Sequence, residues 1–482
     1  MTTLGWILLG VLAVFVLFVL YLIIKASAFK PKKYDIPESD ELDIDRDKAI
    51  NGLAEMIKCR TISSRNKALE DEKEFEKFRD LLVELFPEVH KVMDRKLIGD
   101  RGILYLWKGK SSAHPSVFMS HYDVVSVSEE GWTHPAFDAY IENGEMWGRG
   151  TIDTKITLNG IMQSAERLIK KGFVPENDVY LSFAGDEEII GTGASKIVDY
   201  LESQGVVPEL VIDEGGALVN KVFPGVKKTA ALIGVAEKGM TDIELSVKGM
   251  GGHASSPPPH TAVGKLSSAC VQIENSPMKS KLGVASKGLF MTMARNSGFL
   301  YKLIFANLWV FKPLFDMICK KSGGEMNALM RTTVAFTQME GSKGANVLAS
   351  EAKMVANVRI IEGDTLEDVE KHFKKTIKDK DVQVRIIHGN NPSPSSSPKT
   401  EAYKRVQDSI LETWGDVIVS PYLMVACSDS RHYCRISKNV LRFSAMELTN
   451  EQRALIHGHN ERIELDKIVK SVEFFSRLMM KC

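Results

Sequence analysis

Short apolar segments alternate with helical segments between residues 117 and 219, and this alternation constrains the fold more than any other feature. The apolar segments SVFMS, DVYLSFAG and PELVIDEGG have the length of buried strands, while residues 159–171 and 194–204 have the spacing of helices. Strands that alternate with helices build an α/β domain whose sheet is largely parallel. The sequence therefore predicts such a domain here.

A different pattern begins near residue 237. The segments TDIELSVKG, TTVAFTQME and EAKMVANVRI alternate polar and apolar residues with helices between them, which is typical of a smaller α+β domain. A loop rich in proline and serine follows, and a helix, the strand NVLRFSA and a last helix then complete the first domain. The predicted boundaries are 4–24 for an apolar helix, 25–45 for a linker, 46–237 and 389–482 for the α/β domain, and 238–388 for the inserted domain.

Residues 4–24 form an apolar run without a charge. As a helix of about 1.5 Å per residue, the run would be about 30 Å long, enough to cross a bilayer. A single membrane anchor is the favoured interpretation, and a cleaved signal peptide is the alternative because residues 26–28 read ASA. Four lysines within residues 25–33 would place the body of the protein on the cytoplasmic side.

A second apolar segment, residues 299–319, is interrupted by charges and a proline, so it does not read as another span. Two interpretations remain open. The segment is a core or interface helix pair of the inserted domain, because apolar helices are usually buried. Alternatively, it is an exposed apolar surface that binds a lipid-like substrate or touches the bilayer.

Charge and cysteine content exclude two classes of protein. Basic and acidic residues balance at 62 each, so no global positive field is available to hold nucleic acid. The six cysteines are scattered and form no C-x-x-C pair, which excludes a disulfide framework and makes thiolate ligands an unsuitable basis for a metal site.

Acidic and histidine side chains follow each strand of the α/β domain. HYD ends the first strand, DEE the second and DE the third, while another aspartate lies in WGRGTIDTK and a histidine in LIHGHNER. Open α/β sheets place their sites at this edge. A single loop acid is usually just solvated, but crowded carboxylates repel unless a cation compensates them. Such ligands suit zinc, manganese or cobalt, and a shared carboxylate is typical of two-metal hydrolases.

The motifs HYD, GRGTIDTK, GDEE, IDEGG, GGHASSPP and HGHNE together resemble the ArgE/DapE-type co-catalytic zinc aminoacylases and carboxypeptidases. Within that group the resemblance is to carboxypeptidase S and the N-fatty-acyl-amino-acid hydrolase/synthase, and it spans about residues 45–482. It implies a zinc-dependent exopeptidase-like catalytic domain, interrupted by a ferredoxin-like lid domain that often forms a homodimer.

The resemblance also implies a role for each motif residue. Two zinc ions would be held by five side chains: His121 and Asp213 on one ion, Glu188 and His457 on the other, and Asp153 as the bridge. Two more acids would assist them: Glu187 as general base and Asp123 as the hydrogen-bond partner of the His121 imidazole. Position 154 carries threonine where many family members have a second aspartate, and His459 competes with His457.

Residues of the inserted domain are implied in substrate binding. His253 matches the histidine that stabilises the tetrahedral oxyanion, often from the partner subunit, although a histidine in a glycine turn is usually structural. Asn346 and Arg359 match lid residues that hold the substrate carboxylate, and Arg431 resembles a second arginine with that task. For Arg359, an ordinary exposed strand position is the alternative.

These features predict a membrane-anchored two-zinc amidohydrolase that cleaves, or in reverse forms, the amide of an N-acyl amino acid with an apolar acyl group. A carboxypeptidase acting on short peptides is the alternative, because it differs only in what lies on the acyl side. A binding protein that keeps the fold without catalysis is a distant third reading.

Overall fold

A computed structural model gives the fold of residues 2–38, 40–220, 223 and 225–482. The helices are α1 (Thr3–Ser27), α2 (Arg46–Ile57), α3 (Glu72–Leu85), α4 (Pro87–Val92), α5 (Lys155–Lys170), α6 (Gly193–Ser203), α7 (Ala262–Glu274), α8 (Val284–Arg295), α9 (Phe299–Ala306), α10 (Leu308–Ser322), α11 (Gly324–Ala328), α12 (Leu366–Thr376), α13 (Glu401–Trp414), α14 (Asn450–Leu455) and α15 (Leu465–Met479).

The strands are β1 (Asp94–Ile98), β2 (Gly102–Trp107), β3 (Ser111–His121), β4 (Tyr140–Glu142), β5 (Glu145–Trp147), β6 (Asn177–Ala184), β7 (Leu210–Asp213), β8 (Leu218–Val219), β9 (Ala230–Glu237), β10 (Gly239–Lys248), β11 (Gly252–His253), β12 (Thr333–Glu340), β13 (Val347–Leu348), β14 (Glu351–Ile360), β15 (Gln383–Asn390), β16 (Ile418–Met424), β17 (Val440–Arg442), β18 (Glu447–Leu448) and β19 (Arg462–Glu464).

The large sheet has the order β1-β2-β6-β3-β7-β17-β9-β8-β18, and β16 pairs with β9. Its centre, β6-β3-β7-β17, is parallel as predicted, whereas the β1-β2 hairpin adds antiparallel strands at one edge. The parallel register places Phe118 beside both Leu181 and Ile212. The residues that follow β3, β6 and β7 therefore leave the sheet at one common edge.

The helices beside this sheet are amphipathic and bury their apolar faces. Helix α5 packs against α15 and α2, and the rings of Phe118 and Phe475 meet edge to face at 6.3 Å between centroids. Gly160 allows close contact between α5 and α15, because a Cβ there would lie 2.4 Å from the Ser471 hydroxyl. This packing holds α5 and α15 against the large sheet.

The inserted domain contains an antiparallel sheet of order β12-β14-β10-β15. Helix α7 packs on β10 and β14, and α12 packs on β15 and α7, so the chain runs as two β-α-β halves of the ferredoxin-like kind. Ile243, Leu245, Val358 and Phe373 form a core that is separate from that of the large sheet. The α+β architecture predicted for this segment is therefore present, and its use as a lid stays a prediction, as do the domain boundaries.

Helices α8 to α10 lie in the same stretch of sequence but pack on the α/β domain. Phe290, Phe305 and Phe315 form one aromatic cluster with centroids 4.9–5.7 Å apart, and they belong to the core of the large sheet. Gly288 permits close contact between α8 and β16, because a Cβ at this position would lie 2.4 Å from Pro421 of β16. The interpretation of residues 299–319 as a helix pair of the inserted domain's own core is therefore wrong.

Helix α1 projects from the folded body. It has 25 residues, is capped by Thr2, whose hydroxyl accepts a hydrogen bond from the Gly5 amide, and buries only Leu22 and Ala26. Among the described residues it is the one helix long and apolar enough to cross a membrane. A membrane anchor and a signal sequence both have this form.

Candidate active site

The end of β3 brings His121 to the edge of the large sheet. Its Nδ1 donates a hydrogen bond to the backbone carbonyl of Asp123 at 3.0 Å, while the Asp123 carboxylate lies 3.4 Å away. This contact fixes the ring, so Nε2 faces the site, 3.1 Å from Asp153 Oδ1 and 3.4 Å from Glu214 Oε1. Both the backbone carbonyl and the carboxylate of Asp123 therefore lie beside Nδ1 of His121, and the role predicted for the Asp123 side chain stays a prediction.

Asp153 lies between the two histidines. One carboxylate oxygen is 3.1 Å from His121 Nε2, and the other is 3.1 Å from His457 Nε2. Glu188 Oε2 lies 3.1 Å from the same nitrogen of His457. The carboxylate of Asp153 therefore contacts both histidines, one through each oxygen.

Two overlapping groups of side chains could each hold a cation. One atom from each of His121, Asp153 and Glu188 lies within 4.8 Å of the others, and the same is true of His121, Glu187 and Glu214. Neither group contains Asp213, whose Oδ2 accepts a hydrogen bond from the Ser430 amide at 3.0 Å. Glu214, the residue that follows Asp213, is the acid that lies beside His121, while the role of Asp213 as a ligand stays a prediction.

His459, the competing histidine, lies apart from these groups. Its ring packs edge to face on Trp132 with 6.4 Å between centroids. Thr154, which replaces the second aspartate of many family members, is buried and donates a hydrogen bond to the Thr157 hydroxyl at the start of α5. The turn that carries Asp153 is therefore closed without that second acid.

Burial makes the clustered carboxylates hard to ionise. It raises the pKa of Glu214 to about 7, and the pKa values of Glu187 and Glu188 are also raised, chiefly by burial. Burial opposes ionisation of Asp153 too, but hydrogen bonds with His121 and His457 lower its pKa. The same bond from Asp153, with that from Glu188, raises the pKa of His457 to about 10. The crowding of these buried acids thus favours protons, or a cation in place of the protons, within the cluster.

Asp123 is a buried acid that holds part of the site in shape. It accepts hydrogen bonds from the backbone amides of Glu187 and Glu188, each at 3.1 Å, and from the Ser63 hydroxyl at 2.6 Å. It therefore fixes the short 3-10 turn that presents both glutamates.

Glu461 does the same for Asp153. Its Oε1 accepts hydrogen bonds from three amides of the turn, those of Gly150, Ile152 and Asp153, at 2.7–3.2 Å. Its other oxygen pairs with Arg149 at 2.8 Å. The sequence analysis assigned no role to this glutamate, the last residue of the HGHNE motif. Its nearness to His457 in the sequence was the one indication that it belongs to the site.

A cavity of about 250 Å³ opens beside the cluster. Its lining contains Asp153, Glu187, Glu188, Glu214 and His457. The rest of the lining is largely apolar and includes Ile152, Ala217, Met424, Met446, Leu448 and Ile456. A substrate bound there would contact both the polar cluster and apolar side chains.

The substrate-binding residues predicted from the sequence lie outside the cluster. His253 and Asn346 are exposed at the two-stranded ribbon β11-β13 of the inserted domain, where the His253 ring contacts the Ser255 hydroxyl at 2.7 Å. Arg359 of β14 reaches Cys427 Sγ at 3.7 Å, and Cys427 lines the cavity. Arg431 is half-buried and donates a hydrogen bond to the Ser428 carbonyl at 2.6 Å.

Comparison with known proteins places this architecture in a family. The profile of peptidase family M20/M25/M40 matches residues 117–481. This chain belongs to the M20 family. It is a hydrolase of amide or peptide bonds with the metallopeptidase fold, as the sequence motifs had predicted.

Two relatives and one solved structure illustrate what this M20 protein is similar to. It is 36% identical to a probable carboxypeptidase S-like protein of Dictyostelium discoideum, over 85% of this chain and 79% of that one. It is 35% identical to an N-fatty-acyl-amino acid synthase/hydrolase of Danio rerio, over 84% and 80%. An M20 family metallo-carboxypeptidase from Sulfolobus solfataricus shares the fold, with a TM-score of 0.63 at 19% identity over 90% of this chain and 98% of that one.

The residues of this M20 site fit a divalent cation. Four carboxylates and two imidazoles converge, a donor set that suits zinc, manganese or cobalt. Carboxyl groups with raised pKa values hold protons, and a cation would take the place of those protons. The donor set and its electrostatics thus agree with the metal dependence of the family.

Proposed function

We propose that this protein is a two-zinc amidohydrolase that cleaves, and in reverse forms, the amide bond of N-acyl amino acids with an apolar acyl group. The observation that carries the proposal is the cavity whose lining combines a carboxylate-histidine cluster with apolar side chains. The resemblance to the N-fatty-acyl-amino acid synthase/hydrolase of Danio rerio supports the same substrate class.

Two zinc ions would share the carboxylate of Asp153. We assign His121 and Glu214 to one ion, with Glu214 in place of Asp213, and Glu188 and His457 to the other. When bound, zinc would polarise the substrate carbonyl and lower the pKa of a water molecule.

Glu187 is proposed as the general base. Its carboxylate is buried beside the cluster, its pKa is raised mainly by that burial, and its backbone amide is held by Asp123. A carboxylate so placed takes a proton from the attacking water as the carbon-oxygen bond forms. It then gives that proton to the amide nitrogen, which leaves as the free amine when the carbon-nitrogen bond breaks.

Side chains outside the cluster would bind the rest of the substrate. We propose that Arg359 and Arg431 hold the α-carboxylate, since a guanidinium matches that group in shape and charge, with Asn346 assisting. His253 would stabilise the oxyanion. Because His253 is exposed on the ribbon, we propose that it serves the site of a partner subunit in a homodimer.

Helix α1 is proposed as a single-pass membrane anchor. Its length and apolar composition support this role, and the lysines that follow it favour a cytoplasmic body.

A carboxypeptidase acting on short peptides is the second candidate, because the relative from Dictyostelium discoideum is named for its likeness to carboxypeptidase S. A non-catalytic binding protein is disfavoured, since every position of the cluster is filled.

One assay decides between the two enzymes. The full chain, purified in detergent and loaded with zinc, is given a long-chain N-acyl phenylalanine or a dipeptide that ends in phenylalanine, and released phenylalanine is measured. Glu187→Gln is the blank. Faster release from the acyl substrate supports the proposal, faster release from the dipeptide favours the carboxypeptidase, and no release from either contradicts both.

A further inference from the structure

Helices α9 and α10 expose six large apolar side chains. Phe299, Leu300, Trp309, Leu314, Met317 and Ile318 are between 45% and 65% exposed, and we call them the leaflet face. The opposite side of the same helices is buried, with Phe305, Phe315 and Cys319 in the core of the catalytic domain. The helix pair is thus fixed to the enzyme by one side and apolar on the other. Apolar surface of this kind marks an interaction site.

The helix pair is attached to the apolar N-terminal helix. Helix α1 packs along α9, and the rings of Phe18 and Trp309 meet edge to face at 6.0 Å between centroids. The Asn307 side-chain amide donates a hydrogen bond to the Leu22 carbonyl at 3.1 Å, and Leu22 is buried in this contact. The position of the leaflet face along α1 is therefore fixed.

The position of these contacts along α1 gives the depth at which the leaflet face would lie in a bilayer. Helix α1 ends at Ser27, so Leu22 and Phe18 lie five and nine residues before its end. At about 1.5 Å per residue these distances are roughly 7 and 13 Å. Half of the hydrocarbon core of a bilayer is about 15 Å thick. If α1 crosses the bilayer, Trp309, which contacts Phe18, lies level with the acyl chains of one leaflet.

The charges beside this face agree with a bilayer as its partner. Residues 299–322 contain four lysines and a single acid, Asp316, which pairs with Arg331. Lys312, Lys320 and Lys321 are exposed. Lysines at the rim of an apolar surface extend their ammonium groups to lipid phosphates while their stems stay apolar.

We propose that the leaflet face is immersed in one leaflet of the bilayer beside α1, as a second attachment that holds the catalytic domain against the membrane. The proposal rests on the anchoring role proposed for α1. It also deepens the proposed function, because long-chain N-acyl amino acids partition into the same leaflet. Helix α11 follows α10 directly, and its Glu325 contacts Arg453 of α14, the helix that leads into His457. The membrane-facing helices and the active site are thus joined by a short path through the protein.

Photolabelling from the lipid tests this arrangement. The full chain is reconstituted in vesicles of phosphatidylcholine and phosphatidylglycerol that contain a phosphatidylcholine with a diazirine on its acyl chain, and adducts are mapped by mass spectrometry. We expect adducts in residues 299–318 as well as in α1. Peptides that contain Leu69, Val207 or Met250 serve as controls, because these apolar side chains are at least 68% exposed elsewhere on the protein.

Three other outcomes overturn the inference in distinguishable ways. Adducts in α1 alone keep the anchor but remove the leaflet face from the bilayer. Adducts in neither region remove both. Chemical cross-links between copies through residues 299–318, without lipid adducts, identify a second copy of the chain as the occupant.

A charged variant supplies an independent readout. Leu300→Glu with Met317→Glu is expected to lower labelling of residues 299–318 by about tenfold, because carboxylates are strongly disfavoured in hydrocarbon, while labelling of α1 is kept. Hydrolysis of a soluble short-chain N-acyl substrate should be unchanged, which shows that the variant is folded. Glutamate placed instead at Leu69 and Val207 should leave the labelling as it is. Unchanged labelling of residues 299–318 in the charged variant contradicts the proposal.

Discussion

The metal-binding cluster and the β11-β13 ribbon are built in opposite ways, although both are proposed to act on the same substrate. The cluster sits at one sheet edge, where Asp123 and Glu461 hold its members through buried hydrogen bonds. The ribbon carries His253 and Asn346 on the surface, and the Ala254 amide donates a hydrogen bond to the Asn346 carbonyl at 2.9 Å. The cluster residues are held in place by hydrogen bonds within a single catalytic domain. The distance of His253 and Asn346 from the substrate depends instead on the placement of the inserted domain, or of a partner copy. Changes at the proposed ligands of the cluster should alter metal content, and changes in the ribbon should alter turnover alone.

The largest effect is expected within the cluster itself. Glu187→Gln should lower kcat by about 10³–10⁴-fold, because a positioned proton carrier is lost. The metal should stay bound, since this substitution leaves all five proposed ligands in place. His457→Ala should lose metal and activity together. Atomic absorption and released amino acid measure both quantities, and full activity of Glu187→Gln would show that the base is another residue.

On the ribbon, His253→Ala should lower kcat by about 10²–10³-fold, as the loss of one oxyanion donor does. Metal content should not change, which is the contrast with His457→Ala. If the partner subunit supplies this histidine, mixing inactive His253→Ala with inactive Glu187→Gln should restore part of the activity. A mixture that stays inactive would mean that His253 acts within its own chain or not at all.

Within the cluster, Glu214→Gln should weaken metal binding by more than about a hundredfold, because the loss of a ligand costs more than the loss of a residue behind it. Asp213→Asn is the matched control, and it should bind metal with nearly the original affinity. Competition with a chromophoric chelator measures both variants. The opposite ranking would return the ligand role to Asp213.

A smaller effect is expected one layer behind the ligands. Glu461→Gln should weaken metal binding by about 10–100-fold, because the turn that carries Asp153 loses a charged acceptor for three amides. Glu464→Gln is the control, since Glu464 contacts Gln452 and Lys467 instead of the turn. Equal affinities for the two variants would show that Glu461 does not position Asp153.

The mildest change is one of pH. Burial raises the pKa of Glu214 to about 7, so below that pH this carboxyl is mostly protonated and a cation must displace the proton. For this proton, metal affinity should fall only slightly down to about pH 7 and by up to about tenfold per pH unit below it. Ribbon variants should show the same pH dependence as the original protein. An affinity that does not vary between pH 6 and 8 would contradict the raised pKa.

The central fold could be predicted because its signals are local. Apolar strands, helices of regular spacing and acids at strand ends indicated a parallel sheet with a polar edge, and β3, β6 and β7 form it. The sequence predicted Asp213 as a ligand, and the nearness of Glu214 to His121 could not be foreseen, because it depends on where β7 ends to within one residue. The partner of α8–α10 was also out of reach, since sequence order does not show which of two cores a helix joins. The close contact between Gly288 and Pro421 accompanies the packing of α8 on β16, but it is visible only in the folded structure.

The position of β17 affects how the protein is made. This strand is encoded by residues 440–442, yet it lies between β7 and β9 in the middle of the large sheet. The sheet of a nascent chain therefore keeps an open gap until residues 440–442 have left the ribosome, whereas the inserted domain has all its strands once residue 390 has emerged. His457 emerges later still. We therefore expect the inserted domain to fold first during synthesis, the catalytic sheet to close after it, and the complete metal site to form last.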